Sequence, residues 1–513
     1  MMIELTGQNL TIEDVVAVAR RHEKLAPLNA DARRSMEATR QWVEDALLKD
    51  AQPLYGVNTG VGPLSHVRVS PAQARRLSRN LILSNAAGVG DALPEEIVRA
   101  TMVLRANSLV PPHSGVRPEV VETLIRMLNL GVTPLVPAKG SVGASGDLAP
   151  LAHIALVLSC DPDGDPDAGG QAWYNGDLLN GAGAMQRAGI PRIKLEAKEG
   201  LSLINGTGFM AGVAALAVYD AEKLLEQAEI AAALSCEGLL GITAAFDPAI
   251  QEVNRQAGQI ETADHLRELL AGSRLVNSLT TKVQDAYSLR CIPQVIGPVR
   301  DILEFIRSHI AGALNAPCDN PLILPDLDPQ GSFRVLSGGN FHGQGLAIWM
   351  DTLGIAMCAI GNISERRIFR MTAGELSAGL PSMLVESGGL DSGFMIAQYT
   401  AAALVSDNKT LAHPDSVDSV PTSGNQEDHV SMGANAARHT WEVLRNVRDI
   451  VAIELLAAAQ AVDLRPDGPS RLGSRTREAY EKIRKNVAYL EHDRELSADI
   501  LILSEMVANQ EFL

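Results

Sequence analysis

Three long apolar runs constrain the fold of this 513-residue chain more than any other feature. They are rich in alanine and leucine, hold few glycines and prolines, and occupy residues 201–240, 340–370 and 425–463. Each run is longer than a typical globular helix of about 10–14 residues. Helices of such length pack lengthwise in a bundle or continue into a subunit interface. The runs therefore predict a mainly α protein with a long-helix bundle.

Before residue 200 the chain has a different character, with short predicted helices interrupted by turn-rich segments. A polar, glycine-rich stretch at 161–200 predicts a few short strands, around Trp173 and Ile193. We therefore expect two domains. The first is a loop-rich N-terminal domain of residues 1–200, and the second, residues 201–513, comprises the long-helix bundle and a C-terminal helical region.

The net charge limits the partners of the protein. Lys and Arg together number 44 and Asp and Glu 61, so the formal charge is −17. A negative surface repels phosphate backbones and anionic lipid, which argues against a nucleic-acid or membrane partner. Residues 201–219 are uncharged and reach the lower limit of a membrane-spanning helix. Their polar residues and glycines favour a buried core helix that carries polar site groups.

The five cysteines are scattered and form no Cys-x-x-Cys pair. This spacing fits neither a disulfide framework nor a thiolate zinc site. The N-terminal residues lack the basic and apolar segments of a signal peptide. We therefore expect the protein to act in the reducing cytoplasm.

Several common catalytic patterns are absent from the sequence. It contains no His-Glu-x-x-His, no Walker A pattern and no Gly-x-Gly-x-x-Gly after a strand, and its eleven histidines include no ligand-like pair four residues apart. No metal site is therefore predicted. GASGD at 143–147 differs from a nucleophile elbow, because the glycine after Ser145 comes one position too early. A phosphate-binding loop at 140–146 stays an alternative, since a helix follows it, although the P-loop lysine is missing.

Six segments, in chain order, resemble the motifs of the aromatic amino acid ammonia-lyases. The resemblance extends from near residue 50 to past residue 460 and implies an ammonia-lyase/fumarase-aspartase-like helical fold. The last segment looks most like histidine ammonia-lyase. The segments are YGVNTGVG at 55–62, GSVGASGDLAPLAH at 140–153, INGTG at 204–208, VQDAYSLRCIPQ at 283–294, SGGNFHG at 337–343 and HPDSVDSVPTSGNQEDHVSMG at 413–433.

The resemblance implies an electrophile made from the chain itself. Elimination of ammonia from an α-amino acid requires removal of a weakly acidic β-proton and departure of an amino group that leaves poorly. A strong electrophile that captures the substrate makes the amino group a better leaving group. In this family Ala144, Ser145 and Gly146 would cyclise autocatalytically to 4-methylidene-imidazol-5-one, with no added cofactor and no metal. The Gly146 nitrogen attacks the Ala144 carbonyl, a close approach that glycine permits, and Ser145 then loses its hydroxyl as water. The helix that follows Asp147 would place its positive end beside the ring. A serine in an ordinary polar turn is the structural alternative.

The same resemblance assigns further roles. Tyr55 is the implied base for the β-proton, although a glycine-rich loop with a tyrosine is also typical of a mobile lid. Asn205, expected at the start of a long helix, would orient the electrophile or the amino group, with a simple helix cap as the alternative. Arg290 is suited to bind the substrate carboxylate by two parallel bonds, and Tyr287, one helical turn earlier, would share its face. Phe341 would pack by the electrophilic ring or belong to the core.

Substrate selectivity depends on the residues expected to face the aromatic ring. In this family the ring-facing pair corresponds to Ser84 and Asn85, which read Ser-His in histidine ammonia-lyases, His-Leu in tyrosine enzymes and Phe-Leu in phenylalanine enzymes. This chain keeps the serine and replaces the histidine by asparagine, which can donate and accept but cannot titrate. Glu427 follows the histidine type, and its carboxylate can accept a bond from an imidazole N–H.

These expectations favour a lyase that converts an aromatic L-α-amino acid, in the first place L-histidine, into its α,β-unsaturated acid, urocanate for histidine, and ammonia. A modified histidine, tyrosine or phenylalanine as substrate, and a 2,3-aminomutase using the same electrophile, are alternative enzyme hypotheses. A non-catalytic helical assembly protein is the alternative from another class. The family resemblance also implies a homotetramer whose active sites draw on neighbouring subunits.

Overall fold

The computed structural model of the protein describes residues 2–49, 52–325 and 333–513. Helices dominate these residues, as the apolar runs predict. They are α1 (Ile12–Arg20), α2 (Ala30–Lys49), α3 (Ala74–Asn85), α4 (Glu95–Leu109), α5 (Pro118–Leu130), α6 (Leu148–Leu158), α7 (Gly181–Arg187), α8 (Glu199–Ile204), α9 (Gly208–Gly238), α10 (Pro248–Asn254), α11 (Ala257–Leu269), α12 (Tyr287–Arg290), α13 (Ile292–Ala313), α14 (Gln344–Thr372), α15 (Met395–Leu411), α16 (Gly433–Asp463), α17 (Gly468–Arg471), α18 (Ser474–Asn486) and α19 (Leu496–Ala508).

The three long runs form helices α9, α14 and α16, so the prediction of long helices is confirmed. The first run is not continuous, however. Helix α8 ends at Ile204 and α9 begins only at Gly208, and Gly206 between them has φ +142°, a conformation that other residues rarely adopt. The 22-residue helix α13 was not predicted, because Pro298 inside it is normally a sign of a helix end.

The described strands are short and pair in four small sheets, β1–β3, β2–β5–β6, β4–β7 and β8–β9. Trp173 lies in one strand and Ile193 in another, which confirms the prediction of strands within 161–200. The strands are β1 (Val89–Ala92), β2 (Thr133–Pro134), β3 (Pro137–Lys139), β4 (Ser159–Cys160), β5 (Gln171–Tyr174), β6 (Asp177–Asn180), β7 (Ile193–Lys194), β8 (Leu322–Pro325) and β9 (Phe333–Leu336).

The chain forms two compact units, each assembled from three segments. Unit 1 consists of Met1–Tyr219, Ser308–Met350 and Pro414–Arg438, and unit 2 of Asp220–Arg307, Asp351–His413 and His439–Leu513. The predicted division into residues 1–200 and 201–513 differs from both units, because the chain returns to each unit after leaving it. As a description of domains it stays a prediction.

Unit 1 contains the helices that carry most of the predicted site. Helix α3, which ends at Asn85, packs against α6 and α8, and α6 also packs against α8. Helix α4 packs against α1 and α5. The segment between β3 and α6, which holds the Ala-Ser-Gly triplet, and the break between α8 and α9 therefore belong to one packed layer of helices.

Within the part of the chain that the structure describes, α14 alone is long and apolar enough to cross a membrane. Of its most apolar window, 61% is buried, and the core helix of a soluble protein meets the same criterion, so this is weak evidence for a membrane span. Residues 201–217 are buried throughout, as expected. They do not form one core helix, however, because 205–207 lie between α8 and α9.

Candidate active site

The loop from Gly140 to Asp147 lies directly against the break between α8 and α9. Gly146 and Gly206 form an isolated parallel bridge, and the Asp147 N–H donates to the Gly206 carbonyl oxygen at 2.7 Å. A β-carbon on Gly146, where φ is +79°, would lie 2.2 Å from that oxygen. Glycine at position 146 is therefore required for this close approach as well as for its backbone conformation.

The Asn205 side chain holds the peptide that joins Ser145 to Gly146. Its Nδ2 donates to the Ser145 carbonyl oxygen at 2.7 Å. Among the described residues, its buried Oδ1 has no hydrogen-bond partner. Asn205 follows the last residue of α8 as its C-cap rather than opening a long helix, which corrects the position expected from the sequence. Its amide therefore bonds the loop and leaves one acceptor for another group.

The Glu427 carboxylate is hydrogen-bonded to Ser145, the serine of the triplet. Ser145 Oγ donates to Glu427 Oε1 at 2.5 Å, and Thr422 Oγ1 donates to the other carboxylate oxygen at 2.6 Å. The backbone groups of Thr422 and Glu427 are also bridged, with Thr422 N–H donating to the Glu427 carbonyl at 2.9 Å. Ala144 beside the serine packs against Val430 and Met432. The triplet is thus enclosed by the segment that follows α15.

Asp147 directly precedes α6, but its side chain bonds the start of α9. Its Oδ2 accepts the backbone N–H groups of Phe209 and Met210, each at 3.0 Å, in the first turn of α9. Ser141 Oγ lies 3.1 Å from the other carboxylate oxygen. Complete burial raises the pKa of Asp147 to about 7, although the hydrogen bonds from Met210, Ser141 and Phe209 oppose this shift. The carboxylate therefore ties the loop to the start of α9.

Tyr55 lies on a loop that packs beside the Glu427 segment. Its half-buried phenol oxygen accepts the Gly62 N–H at 3.0 Å. A β-carbon on Gly62 would lie 3.2 Å from Ser423 Oγ, and one on Gly424 would contact Pro63. The structure thus brings the YGVNTGVG loop to residues 423–425, just before Glu427.

The predicted ring-binding residues Ser84, Asn85 and Phe341 belong to unit 1. Phe341 is half-buried, two residues before Gly343, whose N–H donates to the Gly143 carbonyl at 3.1 Å. Ser84 is exposed and Asn85 half-buried at the end of α3. Asn85 Nδ2 donates to the Leu81 carbonyl oxygen at 2.8 Å, so the amide nitrogen bonds its own helix.

Tyr287 and Arg290 belong to unit 2, whereas the other predicted site residues belong to unit 1. Tyr287 and Arg290 form the first and last residues of α12, and the Arg290 guanidinium lies 5.0 Å from the centre of the Tyr287 ring. Their shared role in binding the substrate stays a prediction. Tyr287 is 71% exposed, and Arg290 donates to Gln284. Of the two, Tyr287 is thus the more accessible, because Arg290 is half-buried and already bonded.

Sequence reasoning missed three residues that support the triplet, namely Thr422, Ser141 and Arg105. Thr422 lies in a recognised segment, but only its position beside the Glu427 carboxylate singles it out. Arg105 lies in the apolar stretch MVLRANSLV of α4, and a charged residue in such a stretch was the available signal. In the described ranges, no group of three or more His, Cys, Asp or Glu side chains is arranged to hold a metal ion.

A family model described as aromatic amino acid lyase matches residues 10–485. The chain belongs to this family. Histidine ammonia-lyase of Treponema denticola is 49% identical over 509 residues, which cover 99% of this chain and 97% of the relative. The crystal structure of histidine ammonia-lyase from Trypanosoma cruzi matches with a TM-score of 0.89 and 38% identity, covering 100% and 94% of the two chains. Tyrosine aminomutase from Streptomyces globisporus matches with a TM-score of 0.92 and 36% identity, covering 100% and 98%.

These relationships confirm two predictions for this aromatic amino acid lyase. It has the helical ammonia-lyase fold, and it is a carbon–nitrogen lyase. The non-catalytic alternative is thereby set aside.

Proposed function

We propose that this lyase eliminates ammonia from L-histidine and releases urocanate. The observation that carries the proposal is the carboxylate of Glu427 at the Ser145 hydroxyl, 2.5 Å away. Because Ser145 loses this hydroxyl when the triplet cyclises, Glu427 Oε1 loses its donor and becomes free to accept an imidazole N–H. Thr422 keeps the other carboxylate oxygen in place. A charge-assisted bond to the ring selects imidazole over an apolar ring.

The electrophile in this proposal is 4-methylidene-imidazol-5-one, formed from Ala144, Ser145 and Gly146 without an added cofactor or metal. When present, it supplies an electron-poor carbon that captures the substrate and turns ammonia into a better leaving group. Two observations support the fit of the surrounding residues. Gly146 is pressed against Gly206 with no space for a β-carbon, and the buried Asn205 Oδ1 lacks a partner among the described residues. An orphaned acceptor at this position suits an N–H donor of the substrate.

The remaining residues would bind the substrate and move its proton. Tyr55 would take the β-proton at its phenol oxygen, and the Gly62 N–H bonded there stabilises the negative charge that a base needs. Arg290 would hold the carboxylate, with Tyr287 on the same face. Ser84, Asn85 and Phe341 would line the ring.

The proposal includes a homotetramer with active sites shared between subunits. Exposed apolar side chains on α14 and α15 support burial in an assembly, among them Ile355, Ile396 and Tyr399, which are 50%, 61% and 61% exposed. Tyr287 is 71% exposed, which supports its contact with a neighbouring subunit. The scattered cysteines support a cytoplasmic location.

Subunit complementation tests the shared site. Ser145→Ala and Arg290→Ala chains should each be inactive as homotetramers. When equal amounts are co-expressed, about a quarter of randomly mixed sites would combine an intact Ser145 with an intact Arg290 from another chain. We expect activity to return to that extent. Mixed tetramers without activity would contradict sharing between subunits, and an active monomer in light scattering would contradict the tetramer.

A panel of amino acids tests the substrate, with histidine, methylated histidines, tyrosine and phenylalanine followed by near-UV absorbance of the unsaturated product. The same structural family includes tyrosine aminomutase, so the products must also be separated. We expect free ammonia and urocanate in equal amounts. A β-amino acid as the main product would instead identify a 2,3-aminomutase.

Alanine substitutions of Glu427 and Asn85 compare how much each residue contributes to recognition of the imidazole ring. Loss of a bond to a charged group costs about 1.5–3 kcal/mol and loss of a neutral bond about 0.5–1.5 kcal/mol. We therefore expect Glu427→Ala to lower kcat/KM for histidine by about 10- to 150-fold and Asn85→Ala by about 2- to 10-fold.

Asn85→His separates histidine from a methylated imidazole as substrate. It should preserve or raise histidine turnover, and it should close the pocket to a bulkier, methylated imidazole. Loss of histidine turnover in a folded Asn85→His tetramer that has formed its electrophile would argue against histidine as the substrate.

A further inference from the structure

Arg105 is a buried cation behind the loop that carries the Ala-Ser-Gly triplet. It lies in α4 and is 1% exposed. Its Nη1 donates to the Asn205 carbonyl oxygen at 2.8 Å and lies 3.9 Å from Cys318 Sγ. Among the described residues, neither Nε nor Nη2 has a hydrogen-bond partner. One strong bond therefore defines where this side chain acts.

The carbonyl that Arg105 holds belongs to the peptide between Asn205 and Gly206. The two residues of this peptide each bond the loop. The Asn205 side chain donates to the Ser145 carbonyl oxygen, and the Gly206 carbonyl oxygen accepts the Asp147 N–H. These two bonds fix the peptides on either side of Gly146, because each peptide is planar. The nitrogen of the first peptide is the proposed nucleophile. A bond to the Asn205 carbonyl therefore controls the orientation of the attacking group.

The charge of Arg105 acts on the same loop. It lowers the pKa of Asp147 against the effect of burial and so favours the carboxylate that holds the start of α9. The other buried carboxylate nearby, Asp319, is already paired with Lys198 at 2.8 Å. The effect of Arg105 on Asp147 is smaller than those of burial and of the hydrogen bonds from Met210, Ser141 and Phe209.

A second arginine in the same helix shows what a purely structural role looks like. Arg99 is fully buried, and its three nitrogens donate to the carbonyl oxygens of Ala19, Leu128 and Val18. Arg105 instead keeps two buried donors unsatisfied, which costs stability. Arg99 thus joins three backbone segments, whereas Arg105 acts on the loop through its one bond to the Asn205 carbonyl oxygen.

We propose that Arg105 is a positioning residue for formation of the electrophile, holding the Asn205–Gly206 peptide so that the Gly146 nitrogen is directed at the Ala144 carbonyl carbon. This inference rests on the proposed function. In the reaction a C–N bond forms, and the Ala144 carbonyl oxygen leaves as water with the Gly146 and Ser145 amide protons. A second water takes the Ser145 hydroxyl and α-hydrogen and leaves a C=C bond. The chain loses two waters and needs no oxidant.

The test measures dehydration directly by intact mass, following a short pulse of synthesis over time. Misplacing a reacting group by about 1 Å can cost about 100-fold in rate, so we expect Arg105→Met to lose its two waters about 10- to 100-fold more slowly than wild type. Arg105→Lys keeps the charge and one donor and should recover part of the rate. Arg99→Met is the matched control: it should lower the melting temperature without slowing dehydration.

A double-mutant cycle with Asn205→Ala tests whether Arg105 acts through this residue, because coupled residues have non-additive effects. We expect Arg105→Lys to slow dehydration less in the Asn205→Ala background than in wild type. Dehydration of folded Arg105 variants at the wild-type rate, equal slowing by Arg99→Met, or strict additivity would overturn the inference. Wild-type protein that keeps its unmodified mass while fully active would refute the proposed electrophile instead, so the two failures are distinguishable.

Discussion

Replacing Ser145 by alanine is expected to abolish the loss of two waters from the chain and almost all activity. Without the hydroxyl the triplet cannot form its methylene carbon, and ammonia stays a poor leaving group. We expect kcat/KM to fall by more than about 1,000-fold, which corresponds to roughly 4 kcal/mol of transition-state stabilisation. Intact mass spectrometry and turnover of histidine measure the two effects on one sample.

Ser141→Ala is the matched control for this experiment, because Ser141 lies in the same loop. Its hydroxyl is 3.3 Å from the Gly146 carbonyl and 3.1 Å from Asp147 Oδ1, so it supports the loop without belonging to the triplet. This variant should still lose two waters. Dehydration of the Ser145→Ala chain would contradict the assignment of the triplet, as would a wild-type chain of unmodified mass with full activity.

Asp319→Asn is expected to cause the largest loss of stability of any single substitution considered for unit 1. Asp319 and Lys198 are both fully buried and pair at 2.8 Å, and Ser202 Oγ donates to the same carboxylate oxygen. Removing one charge of a buried pair leaves the other uncompensated and costs about 3–5 kcal/mol. Urea unfolding should therefore show a clear decrease in the midpoint. The effect extends to the site, because Lys198 directly precedes α8, which leads to Asn205.

Asp177→Asn provides the comparison for an exposed pair in the same unit. Asp177 bonds Arg187 at 3.0 Å, but their side chains are 59% and 50% exposed. Such surface pairs contribute about 0–1 kcal/mol, so the midpoint should hardly change. A second comparison replaces both buried partners with apolar residues, as Lys198→Met with Asp319→Leu, and should regain much of the stability. Equal midpoints for Asp319→Asn and Asp177→Asn would show that burial of the pair does not matter.

Part of the fold could be predicted because its signals are local. The long apolar runs predicted α9, α14 and α16, and the glycine-rich stretch predicted strands at Trp173 and Ile193. Helix α13 escaped prediction because a proline within a helix is tolerated only when the surrounding packing stabilises the helix. Packing of this kind is a tertiary property.

In the candidate site, too, contacts that depend on tertiary packing could not be predicted from the sequence. Asp147 was expected to act with the helix that follows it, and its carboxylate instead bonds the first turn of α9. Asn205 was expected at the start of a long helix and in fact follows α8. In both cases the helix that a side chain bonds depends on which elements pack together, and this cannot be read from neighbouring residues.

The sequence by itself determined the helical class, the family and the three consecutive residues proposed to cyclise, because each depends on residues that are neighbours in the chain. Only the tertiary structure decided which side chains meet them. Asn205 is 60 positions from Ser145, Glu427 is 282 positions away, and Arg105 reaches the loop across 100 positions through the Asn205 carbonyl. Hydrogen bonds form over about 3 Å whatever the separation in the chain, so these partners are set by how α4, the break between α8 and α9, and the segment around Glu427 pack, and not by any local pattern.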